Sequence, residues 1–225
     1  MRLNLQVQED TSVPVDVETL VIAGWTGRNE EAVEEHIAEL EAIGVARPPR
    51  VPCFYRVANL LLTTADAIQA SGSDSSGEVE FVLYGSDDGM LVGLGSDHTD
   101  RKVETYSVTV SKQMCAKPVS AEVWRFDDVA PHWDQLVLRS WATIDGARED
   151  YQEGAVSAMR SPGDLIGRYL DGGASLPPGT AMFCGTLAVK GGLRPADRFE
   201  MEIEDPVLGR VLRHGYGIQT MPTEG

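Results

Sequence analysis

The sequence predicts an α+β protein that is mainly β. Short runs of alternating apolar and polar residues recur along the chain, turn signals such as GSDDG at 85–89 and Asp145-Gly146 separate them, and only a few stretches carry helix start and stop signals. The 225 residues, 42% of them hydrophobic, suffice for one large core or two small ones. A formal net charge of −16 argues against binding to nucleic acid or to an anionic membrane, because both need clustered Lys and Arg. Cys53, Cys115 and Cys184 are widely spaced, which fits free thiols in a reducing compartment and excludes a zinc-type CxxC site. The opening MRLNLQVQED is not a signal sequence, and no apolar run approaches the roughly 18 residues of a membrane span. A cytoplasmic location is the expectation.

In chain order, Arg2 to Gln8 alternates as a strand, and Val13 to Ala23 forms a second extended segment ending at Gly24. Asn29 caps the helix that follows. Glu30 and Glu31 suit its first turn, Val33, Ile37 and Leu40 form its apolar stripe, and Gly44 is its stop. The proline-rich ARPPRVP cannot continue that helix and marks a boundary. It separates N-terminal strands and a helix, residues 1–50, from a main body, residues 51–225. Cys53 to Ala70 is apolar without a clear period and reads as a short helix or irregular segment followed by a strand at Ala67 to Ala70. SGSDSSG, 71–77, is a polar loop. Thr105 to Ser111 alternates as a strand ending at Lys112, and Phe126 to Trp141 mixes helical spacing with β-branched residues. A hairpin turning at Asp145-Gly146 comes next, then a helix capped by Ser161 with Pro162 at its first position. The C-terminal block contains a short apolar strand, a glycine-rich loop and a hairpin of Phe199–Ile203 with Arg210–His214.

The chain is organised around Gly77 to Lys112. Glu78 and Glu80 stand two residues apart, so they share one strand face, with Val79, Phe81 and Leu83 on the other. If Ser86 to Gly89 closes the hairpin, antiparallel counting puts Asp97 opposite Glu78 and on the face of both glutamates. Like charges this close raise one another's pKa, and a divalent cation lets all three stay ionised. Oxygen-only ligands select Mg²⁺, Mn²⁺ or Ca²⁺. A solvated acidic strand face is the other reading of the same residues.

Further candidates surround this stretch. His36 and Glu39, three apart on the capped helix, are helical neighbours, and a carboxylate beside an imidazole suits water activation or proton removal. Lys112 can neutralise a developing enolate or oxyanion. Gly185-Thr186 offers an N–H and a hydroxyl to a substrate carboxylate, although the GK[ST] ending of a phosphate loop is absent. No GxSxG elbow supports a serine hydrolase.

In this order the segments resemble the fumarylacetoacetate hydrolase superfamily, and the chain looks like a member of a bacterial branch of it. EVE at 78–80 resembles the paired metal glutamates and SDHTDR at 96–101 the metal aspartate motif, with Asp97 at the matching position. Ser111-Lys112 resembles the position of the family's lysine. The block CGTLAVKGGLRPADRFEMEIEDPVLGRVLR resembles the closing signature, and HIAEL followed by ARPPRVPCFYRV resembles the lid with its His-x-x-Glu pair. The chain departs in having Leu187 where proline is usual and KQMCAKP where the lysine motif reads K-S-F-D.

The resemblance implies a mixed β-roll with a small N-terminal lid, a homodimer, and a divalent cation, Mg²⁺, Mn²⁺ or Ca²⁺, held by Glu78, Glu80 and Asp97. It further implies hydrolytic C–C cleavage of a 2-oxo or 1,3-dicarbonyl acid through a metal-stabilised enolate. In that scheme His36, oriented by Glu39, activates water, Lys112 stabilises the enolate, and Arg101, Gly185 and Thr186 position the small carboxylic acid substrate. A lyase or isomerase on a related 2-oxo or sugar acid is the second expectation, and a non-catalytic protein binding a metal or small acid is the third.

Overall fold

Residues 1–7, 11–42 and 47–224 are described in the computed structural model, without the side chains of His36 and Leu40. Among the described residues the strands form an eight-stranded sheet, a five-stranded sheet and two two-stranded ladders. At the centre of the larger sheet, Val79–Ser86 pairs antiparallel with Gly89–Ser96, with Val79 opposite Ser96 and Ser86 opposite Gly89. Asp87 and Asp88 alone make the turn, which is tighter than the four-residue loop expected, with Gly89 supplying a positive φ of 106°. The register is the one that antiparallel counting gives. Just beyond the ladder, the Asp97 N–H donates to the Glu78 carbonyl at 3.0 Å.

On one side of this hairpin lie Glu122–Arg125, Arg2–Val7 and Thr11–Asp16; on the other lie Thr180–Thr186, Thr19–Gly24 and Cys53–Val57. Leu3 and Val15 from one end of that order and Leu20, Ile22 and Val57 from the other belong to a single apolar cluster with Val82 and Tyr84. The sheet is therefore curled on itself. Its opposite face, carrying Val79, Phe81, Leu83, Val92 and Leu94, packs against Leu138, Tyr151, Phe199, Met201 and Tyr216 of the second sheet. That sheet runs Ala147–Ala155, Val137–Ile144, Arg198–Asp205, Arg210–Met221, Ala67–Ser71. The mainly β class and the mixed roll are both present.

Most local expectations hold in detail. Asn29 Oδ1 accepts from the N–H groups of Glu31 and Ala32, at 3.1 and 3.2 Å, to start the helix Glu30–Ala42, whose Ile37 is buried; its stop at Gly44 lies outside the described residues. Ser161 Oγ caps Pro162–Tyr169 by accepting from the Asp164 N–H at 3.3 Å. Asp145 and Gly146, both at positive φ, turn the hairpin Val137–Ile144 to Ala147–Ala155. The C-terminal hairpin pairs Phe199 with Tyr216 and Ile203 with Leu212.

Other expectations are corrected. Thr105 to Ser111 is not a strand: Arg101–Glu104 and Val108–Met114 are helices. Asp100 Oδ1 and Ser107 Oγ accept from the N–H groups of Val103 and Val110, so each helix begins on a capping side chain. Val108, Ser111, Lys112 and Cys115 turn inward at three- and four-residue spacing, while Val110 stays exposed, so contact with the core overrides β-branched propensity. The apolar segment after residue 52 is a strand, Cys53–Val57, followed by a short 3₁₀ turn at Asn59–Leu61. Within the polar loop, Ser75–Ser76 pairs with Thr99–Asp100, and both serines are buried. Thr19–Gly24 and Cys53–Val57 are neighbouring antiparallel strands of the larger sheet.

Candidate metal centre and active site

The open end of the central hairpin carries the site. Glu78 and Glu80 share a face, Asp97 is the cross-strand partner of Glu78, and one carboxylate oxygen from each lies within 4.8 Å of the others. Glu80 and Asp97 are buried. The ladder between Val79–Ser86 and Thr180–Thr186 is interrupted between Phe183 and Thr186, and this irregularity turns the Gly185 N–H onto Glu80 Oε2 at 2.6 Å. Only glycine suits that position, since its φ is +100° and a Cβ there would collide with the side chain of Thr26. Burial, and next the neighbouring Asp97 and Glu78, push the Glu80 carboxyl well above the usual range.

Asp97 is held differently. Burial opposes its ionisation, but the ammonium groups of Lys112 and Lys117 outweigh burial and hold it below the usual range. Lys112 Nζ donates to Oδ2, and Lys117 Nζ lies 3.0 Å from Oδ1. Beyond that Lys117 contact, no other hydrogen-bond partner of Oδ1 is found, although the oxygen is buried. Lys117 Nζ donates to the His98 carbonyl at 2.6 Å. Glu78 is met by Arg101 Nη2 at 3.1 Å, and Arg101 also donates to Ser76 and Glu104.

These residues fit a hard divalent cation. All the donors are oxygens, Asp97 Oδ1 has lone pairs to give, and the repulsion that raises Glu80 is what a bound cation relieves.

The remaining candidates divide. Lys112 does reach the carboxylates, from the helix Val108–Met114 instead of a strand end, and is buried. The Gly185 N–H is given to Glu80. Thr186 Oγ1 donates to the Val79 carbonyl at 2.7 Å and accepts from Gln152 Nε2 at 2.7 Å, so both groups brace the site in this structure. Arg101 is engaged with acidic partners at the rim. Glu39 is an exposed residue of the helix Glu30–Ala42, and the side chain of His36 lies outside the described residues, so their expected pairing does too.

Sequence reasoning missed Lys117, His98 and Gln152. Gln152 is buried and ties Val79, Ser140, Thr186 and Leu187 together, and His98 bridges Tyr216 and Ser75 at 3.0 and 2.9 Å. Gln152 sits in no motif, whereas His98 lies inside SDHTDR and Lys117 inside KQMCAKP, segments read only for Asp97, Arg101 and Lys112. The available signal was the clustering of polar residues in GSDHTD and CAKPVS between apolar runs.

A family model described as protein of unknown function, DUF2848, matches residues 23–216. The chain belongs to the DUF2848 family. No curated protein matches this DUF2848 sequence. Among solved structures, a yeast fumarylacetoacetate hydrolase family protein superposes with a TM-score of 0.64 at 18% identity, covering 92% of this chain and 94% of that one. A 5-carboxymethyl-2-hydroxymuconate delta-isomerase from Mycobacterium smegmatis gives 0.64 at 14% identity, covering 92% and 79%. A 2-hydroxyhepta-2,4-diene-1,7-dioate isomerase from Mycobacterium marinum gives 0.60 at 17%, covering 94% and 77%. This DUF2848 chain therefore has the fumarylacetoacetate hydrolase fold. No helix among the described residues is long and apolar enough to cross a membrane.

Proposed function

We propose that this DUF2848 protein is a metal-dependent enzyme that hydrolyses a C–C bond in a 2-oxo or 1,3-dicarbonyl acid. The observation that carries the reading is the convergence of Glu78, Glu80 and Asp97 within 4.8 Å beside the Lys112 ammonium, on a fold shared with fumarylacetoacetate hydrolase family proteins. A divalent cation held by the three carboxylates would supply Lewis-acid polarisation of the substrate's carboxylate and keto oxygens. Burial opposes the charge of Lys112, but Asp97, Glu78 and Glu104 outweigh it and keep its proton firmly bound, so Lys112 is a fixed positive charge for an enolate developing beside it. Water activation is assigned to His36 and Glu39 of the helix Glu30–Ala42, and orientation of the substrate carboxylate to Arg101. A homodimer in the cytoplasm belongs to the same reading.

Two of the structural neighbours are named as isomerases, of 5-carboxymethyl-2-hydroxymuconate and of 2-hydroxyhepta-2,4-diene-1,7-dioate, which favours isomerisation or a lyase step as the second reading. The hydrolytic and isomerase readings use the same carboxylate site of this chain and differ in the need for water.

The test has two parts. Mg²⁺ or Mn²⁺ should raise the melting temperature of the wild type through preferential binding to the folded state, and the rise should grow with increasing pH, because burial and the neighbouring carboxylates favour the protonated Glu80 and the ionised form is the ligand. Glu80→Ala should abolish that rise; a rise of the same size in the variant removes the trio as the metal site. On a panel of 2-oxo and 1,3-dicarbonyl acids at saturating Mn²⁺, Lys112→Met should lower kcat by about 10²-fold or more. His36→Ala separates the readings: loss of turnover supports hydrolysis, and retained turnover supports isomerisation.

A further inference from the structure

Lys117 is fully buried, as is Asp97, the carboxylate with which it is ion-paired. It stands in Lys117–Pro118, which pairs parallel with Leu62–Thr63, and its Nζ is fixed by the His98 carbonyl at 2.6 Å and by Asp97 Oδ1 at 3.0 Å. Lys112 and Arg101 also bring positive charge to the trio, and their side chains keep 8% and 15% of their exposure. Lys117 retains none. Its charge acts on Asp97 and on whatever Asp97 binds.

A buried lysine is costly unless it is paired, so a purely structural role would be better filled by an apolar or neutral side chain. The pairing is also with an unusual atom. Asp97 Oδ2 already accepts from Lys112, and Oδ1 has no hydrogen-bond partner apart from the Lys117 ammonium, so Oδ1 is the oxygen a cation would take. That oxygen is the one Lys117 approaches. Arg101, Lys112 and Lys117 face Glu78, Glu80 and Asp97, with Glu104 as a fourth carboxylate beside Arg101, so much of the negative charge of the site is offset before any cation enters.

We infer that Lys117 is a built-in counter-cation that competes for Asp97 and sets the affinity of the site for a divalent ion, keeping that ion exchangeable. The inference rests on the metal reading of the trio. A unit positive charge a few ångströms from a divalent ion is a large opposing term even at a high effective dielectric. Lys117 is a positioning residue for Asp97, and its charge distinguishes it from a merely structural one.

The experiment is calorimetric titration of Mn²⁺ into the metal-stripped full chain, for wild type, Lys117→Met and Lys117→Gln. Gln removes the charge while keeping an N–H donor for the His98 carbonyl and Asp97, so it guards against a Met variant that does not fold. Both substitutions should tighten Mn²⁺ binding by tenfold or more, and Lys117→Arg, which keeps the charge, should not. An unchanged or weaker Kd in Lys117→Gln overturns the inference while leaving the metal site standing, and tighter binding in Lys117→Arg overturns it as well. Absence of Mn²⁺ binding in wild type and all variants overturns the metal reading and the inference with it. Binding that emerges only in the Met and Gln variants supports the inference.

Discussion

His98 shows how one side chain near the site couples structure to pH. It is buried between Tyr216 and Ser75, and burial, helped by the charges of Lys117 and Arg101, pushes its pKa down to about 3. An unfolded histidine titrates near 6.5, so the folded state holds the neutral ring where the unfolded chain takes up a proton. The stability this contributes is present in full above about pH 6.5 and is lost as the pH falls toward 3, by up to about 1.4 kcal/mol per pH unit. Urea unfolding should therefore show stability declining between pH 6.5 and 4.5. In His98→Asn the stability at pH 7 should be lower, because the contacts to Tyr216 and Ser75 are lost, and the decline over that window should be shallower. An equally steep decline in the variant assigns the slope to other groups. His98 and Lys117 were illegible in the sequence for one reason: a buried polar residue is recognised by its partners, and those partners come from distant positions, Tyr216 for His98 and Asp97 for Lys117.

At the scale of elements, a bulge does what the sequence did not announce. Gly185 was expected to face a substrate, but the interruption between Phe183 and Thr186 aims its N–H at Glu80, where it favours the charged carboxylate against burial. Gly185→Ala meets both a positive φ and the Thr26 side chain, so the variant should lose on the order of 1–3 kcal/mol in urea unfolding and show a smaller metal-induced rise in melting temperature. An unaltered rise would show that Gly185 supports the fold and not the carboxylate. The hairpin itself was legible because its turn is short and its register is fixed by counting, whereas the helices Arg101–Glu104 and Val108–Met114 were hidden. TYSVTVS carries the alternation and β-branching of a strand, and only the capping groups Asp100 and Ser107, with the inward pull on Ser111 and Lys112, reverse that preference.

At the scale of the molecule, the central hairpin separates two cores. Val79, Phe81 and Leu83 enter one and Val82 and Tyr84 the other, so a strand whose acidic face had a solvated alternative reading is buried on both. Glu80 is thereby held in an interior where an unpaired charge is costly, and that burial gives the acidic trio its chemistry. The two sheets are joined next to the carboxylates as well: the Tyr216 hydroxyl, on the second sheet, donates to Ser96 Oγ at 2.8 Å and meets His98. Amide hydrogen exchange should accordingly find the Val79–Ser96 ladder opening only with global unfolding. The helix Glu30–Ala42, whose described side chains are mostly exposed, should open earlier. Similar protection in both would show a lid locked to the core.

The Asp87-Asp88 turn is exposed and stands at the end of the hairpin away from Glu78 and Asp97, with Gly89 facing open space. Chain length at that tip is decoupled from carboxylate spacing, because the intervening ladder, and not the turn, holds the register. The tip is consequently a natural grafting point, where a peptide tag or a fluorescent reporter could be spliced in while the trio keeps its geometry.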